Sequence, residues 1–150
     1  MAIGLTQASL LFAVVVFGLG LNPVNPLLTL GLLMLTATAF AAIMQLLGAA
    51  LGPAGRIAAL ALLMLQLTSS GGTYPVQTSP DFFQAVHPLL PMTYVVDALR
   101  HAIDGGPAGT VVTGLLAVAG YGLAALALTV AVARKARRLT PSDLHPELVI

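Results

Sequence analysis

The residues best equipped for chemistry sit close together in the second half of the chain. Asp97, His101 and Asp104 are spaced by four and then three positions, so a helix would carry them on one face, with His87 a short distance upstream. Carboxylates and imidazoles in that arrangement are the side chains of a metal site or of a general acid–base pair. The surrounding sequence argues against both. It holds neither the His-Glu-x-x-His pattern of zinc proteases nor a nucleophile elbow. Arg100 follows Asp97 by three residues and precedes Asp104 by four, a spacing at which the three charges neutralise one another on a solvated helix face. The only lysine, Lys135, stands between Arg134 and Ala136, so there is no phosphate-binding loop and nucleotide-driven work would fall to another chain. With no cysteine, disulfides and thiolate metal sites are also excluded. The residues thus assign no catalytic group, no metal ligand and no cofactor.

The elements that must position these side chains belong to an unusual solvent. Of 150 residues, 58% are hydrophobic and 7% are charged, against roughly 25% charged in an ordinary soluble domain. No charged residue precedes Arg56, and four of the six basic residues (Arg134, Lys135, Arg137 and Arg138) are packed into one short run. So few charges cannot clothe a water-exposed surface. A net charge of +1 provides no footprint for nucleic acid. The chain reads as an all-α, polytopic membrane protein whose first partner is the lipid bilayer.

Crossing about 30 Å of hydrocarbon takes about 20 apolar residues. The sequence predicts four transmembrane helices, at about 3–21, 27–51, 56–70 and 108–133, the third being short. The first lacks a basic leader and runs straight into another apolar stretch, so it reads as a retained span rather than a signal peptide. Breaks come at Asn22-Pro23-Val24-Asn25-Pro26 and Gly52-Pro53-Ala54-Gly55. With both termini in the cytoplasm, Arg56, Arg134, Lys135, Arg137 and Arg138 lie inside and only Arg100 lies outside, as the positive-inside rule prefers. Residues 1–138 form the membrane domain and 139–150 a cytoplasmic tail. Gly48 with Gly52, Ala37 with Ala41, and Gly114, Ala117 and Gly120 are candidate helix-packing positions. Gln45 and Gln66 place amides inside spans, where they serve either as interhelical hydrogen-bonding groups or as the lining of a substrate path.

The outward segment, 71–107, is too polar to span and too apolar for an ordinary loop. Ser79-Pro80-Asp81 predicts a helix start, with Ser79 as N-cap. His87-Pro88-Leu89-Leu90-Pro91 breaks that helix, and a second runs from about Pro91 to Gly105. On it Met92, Val95, Val96, Leu99 and Ile103 form an apolar face, opposite Thr93, Asp97, Arg100, His101 and Asp104. This pattern fits a re-entrant or interfacial helical pair before the last span.

Two blocks carry a family resemblance: Leu65 to Gln77, with Gly71-Gly72-Thr73-Tyr74-Pro75 at its centre, and Pro80 to Arg100, with Pro88, Pro91, Thr93 and Tyr94. Together with the Gly20–Pro26 turn and the short Gly52–Arg56 loop, they resemble the YhgE/Pip (phage infection protein) family. At lower resolution they are similar to the membrane domain of type-2 ABC exporter permeases. The resemblance covers about residues 10–135. It implies the last four of six spans, the cytoplasmic start that the charge count also gives, and short external helices re-entering the outer leaflet. It places Gly71, Gly72, Thr73, Tyr74 and Pro75 at an outer mouth, and Pro88, Pro91, Thr93, Tyr94 and Arg100 in the re-entrant element, where they either shape the backbone or meet substrate.

Family members are usually much longer, so the chain is a fragment, a split subunit or a shortened relative. The function implied is transport or secretion across the bacterial cytoplasmic membrane, with a partner ATPase and a second membrane half or a homo-oligomer. Amphipathic or cell-envelope material would suit a cleft lined by Phe82, Phe83 and Met92. The rival is a non-transporting membrane scaffold or surface receptor for a phage or protein partner. Because the chain lacks cysteine, its orientation is directly testable: Thr78→Cys should react with an impermeant thiol reagent on intact cells and Ser142→Cys should not, whereas the reverse labelling would invert the topology.

Overall fold

The computed structural model describes residues 2–72 and 74–136. Thr73, Arg137, Arg138 and the expected tail at 139–150 lie outside the described residues. Helices account for nearly all regular structure: α1 (Ala2–Ala13, continued by a π-helical turn Val14–Gly18), α2 (Pro26–Leu51), α3 (Ala54–Ser69), α4 (Asp81–Val86), α5 (Pro91–Asp104) and α6 (Ala108–Ala136). Single 3-10 turns at Val76–Thr78 and His87–Leu89 flank α4.

Two helices, α2 and α6, are long and apolar enough to cross a bilayer. Only 22% and 17% of their most apolar windows are buried, which distinguishes them from core helices of a soluble protein. The exposed remainder, including Leu116, Leu123, Leu128 and Val130 on α6, is apolar surface of the kind that lipid covers. Helix α1 and its π turn end at Gly18, short of the expected Leu21, and α3 has 16 residues. At 1.5 Å per residue α3 is about 24 Å long, less than the thickness of the hydrocarbon.

Helix α2 is the hub, packing against α1, α3, α5 and α6, while α5 lies along α6. Lipid gives apolar helices no hydrophobic reason to associate, so close backbone packing must supply it. On α6 the buried seam is Val111, Gly114, Val118, Gly122 and Ala125. A Cβ at Gly122 would lie 3.1 Å from the Ala39 Cβ of α2. One at Gly114 would lie 2.8 Å from the Tyr94 carbonyl oxygen and would collide with Ala98 of α5. Ala39, Val95 and Val118 form the small core between these helices. Of the expected packing positions, Gly114 is in the seam and the Gly48 Cα would lie 3.0 Å from a Cβ at Gly55 on α3, whereas Gly120 faces open space.

The antiparallel course of α5 against α6 follows from its ends. Gly105, with φ of 81°, closes α5 in the left-handed conformation, and Gly105 and Gly106 both donate backbone bonds to the His101 carbonyl. The next two carbonyls are taken by the turn after α1: Val24 N–H donates to Ile103 at 3.0 Å and Asn25 N–H to Ala102 at 3.4 Å. The 22–26 turn is therefore a clamp on α5 as well as a connection between helices.

Two local expectations are corrected. Ser79 does not cap α4: the helix begins at Asp81 with Pro80 as the flanking residue, and the Gln84 side-chain amide instead donates to the Ser79 carbonyl at 2.7 Å. On α5 the buried residues are Pro91, Thr93, Val95, Ala98 and Ala102. The most buried stripe thus follows the small residues rather than the large ones, because the helix packs on α6 and α2 instead of lying alone at an interface. Met92 and Leu99 still pack against the core from one side.

The seam predicts a local sensitivity. Gly122→Leu should cost about 1–3 kcal/mol by overpacking and lower the melting temperature in detergent, while Gly120→Leu should not. Equal melting temperatures would show that α2 and α6 do not meet at Gly122.

Candidate functional site

The candidate site is the segment between α3 and α6, where the chain breaks twice. Each break leaves backbone carbonyls outside regular helices. Non-helical backbone persists beside lipid only when protein groups satisfy it.

The first break follows α3. Ser70 N–H donates to the Gln66 carbonyl at 2.9 Å to end the helix. The Ser69 carbonyl accepts a short hydrogen bond from His87 Nδ1. Since a carbonyl only accepts, this contact puts the His87 proton on Nδ1. Arg100 Nη2 donates to the Gly71 carbonyl at 2.8 Å and reaches that of Gly72 at 3.5 Å. The expected mutual neutralisation of Asp97, Arg100 and Asp104 is thereby corrected: the hydrogen bonds of the guanidinium go to the 71–72 backbone, a stronger use of a rigid multi-donor group.

The second break is His87–Pro91. Thr93 Oγ1 donates to the His87 carbonyl at 2.6 Å, and the Tyr94 hydroxyl to that of Pro88 at 2.8 Å. The Tyr121 hydroxyl, on α6, donates to the Leu89 carbonyl at 2.8 Å. The Leu90 carbonyl accepts the Thr93 N–H at 3.2 Å. Every carbonyl from His87 to Leu90 is therefore paired. Tyr121 lies about 20 Å along α6 from Ala108, so the broken chain reaches roughly the middle of that helix.

Among the expected site residues, Thr93, Tyr94 and Arg100 thus converge with Gly71, Gly72 and Pro88 as partners in these bonds. Pro91 opens α5 and is buried. Tyr74 is 75% exposed, and with Pro75 it lines a polar pocket shared with Gln77, His87, Asp97 and Arg100. Thr73 is outside the described residues. Gln45 and Gln66 are not brought together: Gln45 is exposed on α2, whereas Gln66 is 2% exposed between α2, α3 and α5. Phe82, Phe83 and Met92 do not form one cleft. The two phenylalanines pack edge to face with centroids 5.4 Å apart, and Met92 instead lines a groove with Phe40 and Gln66. Among the described residues no three His, Cys, Asp or Glu side chains gather where they could hold one metal ion. His101 donates from Nδ1 to the backbone carbonyl of Asp97 at 2.7 Å.

Tyr121 is the functional residue that sequence reasoning passed over. Its signal was present, a phenol in an otherwise apolar span, since a tyrosine at that depth needs a partner. Tyr121→Phe removes that donor and should destabilise the protein by about 1 kcal/mol, read as a lower melting temperature in detergent. An unchanged value would mean that Leu89 is satisfied elsewhere.

Comparison with known proteins places this geometry. Residues 1–103 match the ABC-2 type transporter membrane family. Over 109 residues, 73% of the chain, it is 34% identical to "Uncharacterized protein YhgE" of Bacillus subtilis (strain 168). The chain spans 14% of the length of that relative. No solved structure matches it. The apolar spans, the twice-broken segment before α6 and the family match agree: the chain belongs to the ABC-2 type transporter membrane family, as a permease domain related to YhgE.

Proposed function

We propose that this domain is the membrane component of an exporter or secretion assembly in the bacterial cytoplasmic membrane, powered by a partner ATPase. In this reading α1, α2, α3 and α6 cross the bilayer with both termini in the cytoplasm. Helices α4 and α5 re-enter the outer leaflet. The supporting observation is the complete pairing of the His87–Leu90 carbonyls, with Tyr121 supplying one donor from the middle of α6. A loop in water would need no such arrangement, because water would satisfy those groups.

The same reading accounts for the shortness of α3. Beginning at the cytoplasmic end of α2, it stops below the outer surface, and the segment tied down by His87 and Arg100 completes the passage outward. The domain contributes a path and a moving part rather than a catalytic group. A second membrane half, or a second copy, would pack against α2 where Gln45 and Gly48 are exposed three residues apart, since an amide left in lipid is costly. Alternating opening between the halves would carry amphipathic or cell-envelope material past the α3–α5 junction.

Affinity purification in mild detergent tests this reading. A nucleotide-binding ATPase or a second membrane subunit should travel with the chain. Recovery of the chain alone, or with an external protein only, would contradict the exporter and favour a scaffold or receptor.

A further inference from the structure

Between α2, α3 and α5 lies a groove of about 400 Å³ whose walls are Phe40, Leu63, Met64, Leu67 and Met92. Its volume is at the lower end of the roughly 300–1,000 Å³ typical of small-molecule sites. Thr36 also reaches it, but its hydroxyl donates to the Leu32 carbonyl at 2.7 Å. No charged side chain lines the groove. At its wall is Gln66, 2% exposed, with neither its amide nitrogen nor its amide oxygen hydrogen-bonded. One turn further along α3 the buried Ser69 hydroxyl is also without a partner.

Two polar atoms of one side chain without partners at the wall of an apolar groove require an explanation. A glutamine that merely joined two helices would be bonded across their interface. An orphaned buried amide instead destabilises the fold, and leucine would fill the same volume without that cost. We infer that the groove binds an uncharged amphiphile, an acyl or alkyl chain carrying an amide or hydroxyl group. The chain would lie along Phe40, Leu63, Leu67 and Met92, and the polar group would exchange hydrogen bonds with the Gln66 amide after a rotation of that side chain. An anionic group does not fit, because nothing in the groove neutralises it. An alkane does not fit either, because it leaves the amide orphaned. This inference rests on the proposed membrane embedding, which puts the groove within reach of lipid-phase ligands, and it identifies the class of molecule that the exporter would accept.

The test uses the whole purified chain in detergent with a long-chain N-acyl ethanolamine as probe and an alkane of the same length as comparison. Wild-type protein should bind the ethanolamine saturably and gain thermal stability from it. Gln66→Leu should bind it about tenfold more weakly, the loss expected for one buried hydrogen-bonded group. Without ligand, Gln66→Leu should melt at a higher temperature than wild type, because the orphaned amide is gone. Met64→Trp, at a largely exposed rim position, should block the groove and abolish binding with Gln66 intact. Equal binding by wild type and Gln66→Leu would overturn the inference, as would a lower melting temperature of ligand-free Gln66→Leu, which would make the amide structural. Binding by the isolated chain is read independently of ATPase recovery, so failure here leaves the exporter reading standing, and the converse also holds.

Discussion

The close approach of α5 to α6 is the contact on which the rest of the structure depends. Gly114 and Ala98 let the two backbones come nearer than any larger pair would permit. That distance is what allows the Tyr121 hydroxyl to reach the Leu89 carbonyl. In water a helix pair can rely on hydrophobic burial to hold loosely matched surfaces. In lipid it cannot, and small residues that admit many short contacts take over. The same device recurs at Gly122 and Ala39, which brings α2 against α6 and makes α2 the hub for α1, α3 and α5. Larger side chains are left to face lipid, so the protein has a small core and a large apolar exterior.

Once α5 is seated, the polar side chains of the segment act as substitutes for water. His87 serves the Ser69 carbonyl, Arg100 those of Gly71 and Gly72, Thr93 and Tyr94 those of His87 and Pro88. Val24 and Asn25 close the far end of α5 through their backbone N–H groups. Together these side chains pair the backbone carbonyls that two helix breaks leave outside regular structure. The side chains of Gln66 and Ser69 are the exceptions, both buried and unpartnered; Gln66 lines the groove, and an unmet polar group inside an otherwise well-satisfied region points to something that comes and goes.

Much of the fold was legible because hydropathy and proline are strong signals. The limits of α2 and α6, the α5 helix from Pro91 and its stop at Gly105 follow from apolar run length, proline at the first helical position and glycine at the end. The 71–107 segment was recognisable as neither span nor loop. What the sequence hid was pairing in space. Apolar periodicity put Met92, Val95, Val96, Leu99 and Ile103 on one apolar face of α5, but packing against a glycine-lined α6 buried Ala98 and Ala102 more deeply. Charge spacing paired Arg100 with its helical neighbours, whereas the carbonyls of Gly71 and Gly72, nearly thirty residues away, took it. Gln45 and Gln66 look alike in sequence, and only the crossing of α3 with α2 and α5 separates the exposed one from the buried one.

The central claim is that the His87–Pro91 break lies within the bilayer beside the middle of α6. Leu89 and Leu123 are both exposed positions, at 68% and 67%, on the two elements concerned, and the chain has no cysteine to remove. Spin labels introduced singly as Leu89→Cys and Leu123→Cys in reconstituted protein report depth through their relative accessibility to oxygen and to a polar nickel chelate. The account predicts similar depths for the two labels, both favouring oxygen. A Leu89 label with the nickel accessibility of one at Thr78, which is exposed in the Val76–Thr78 turn, would place the break in water and contradict it.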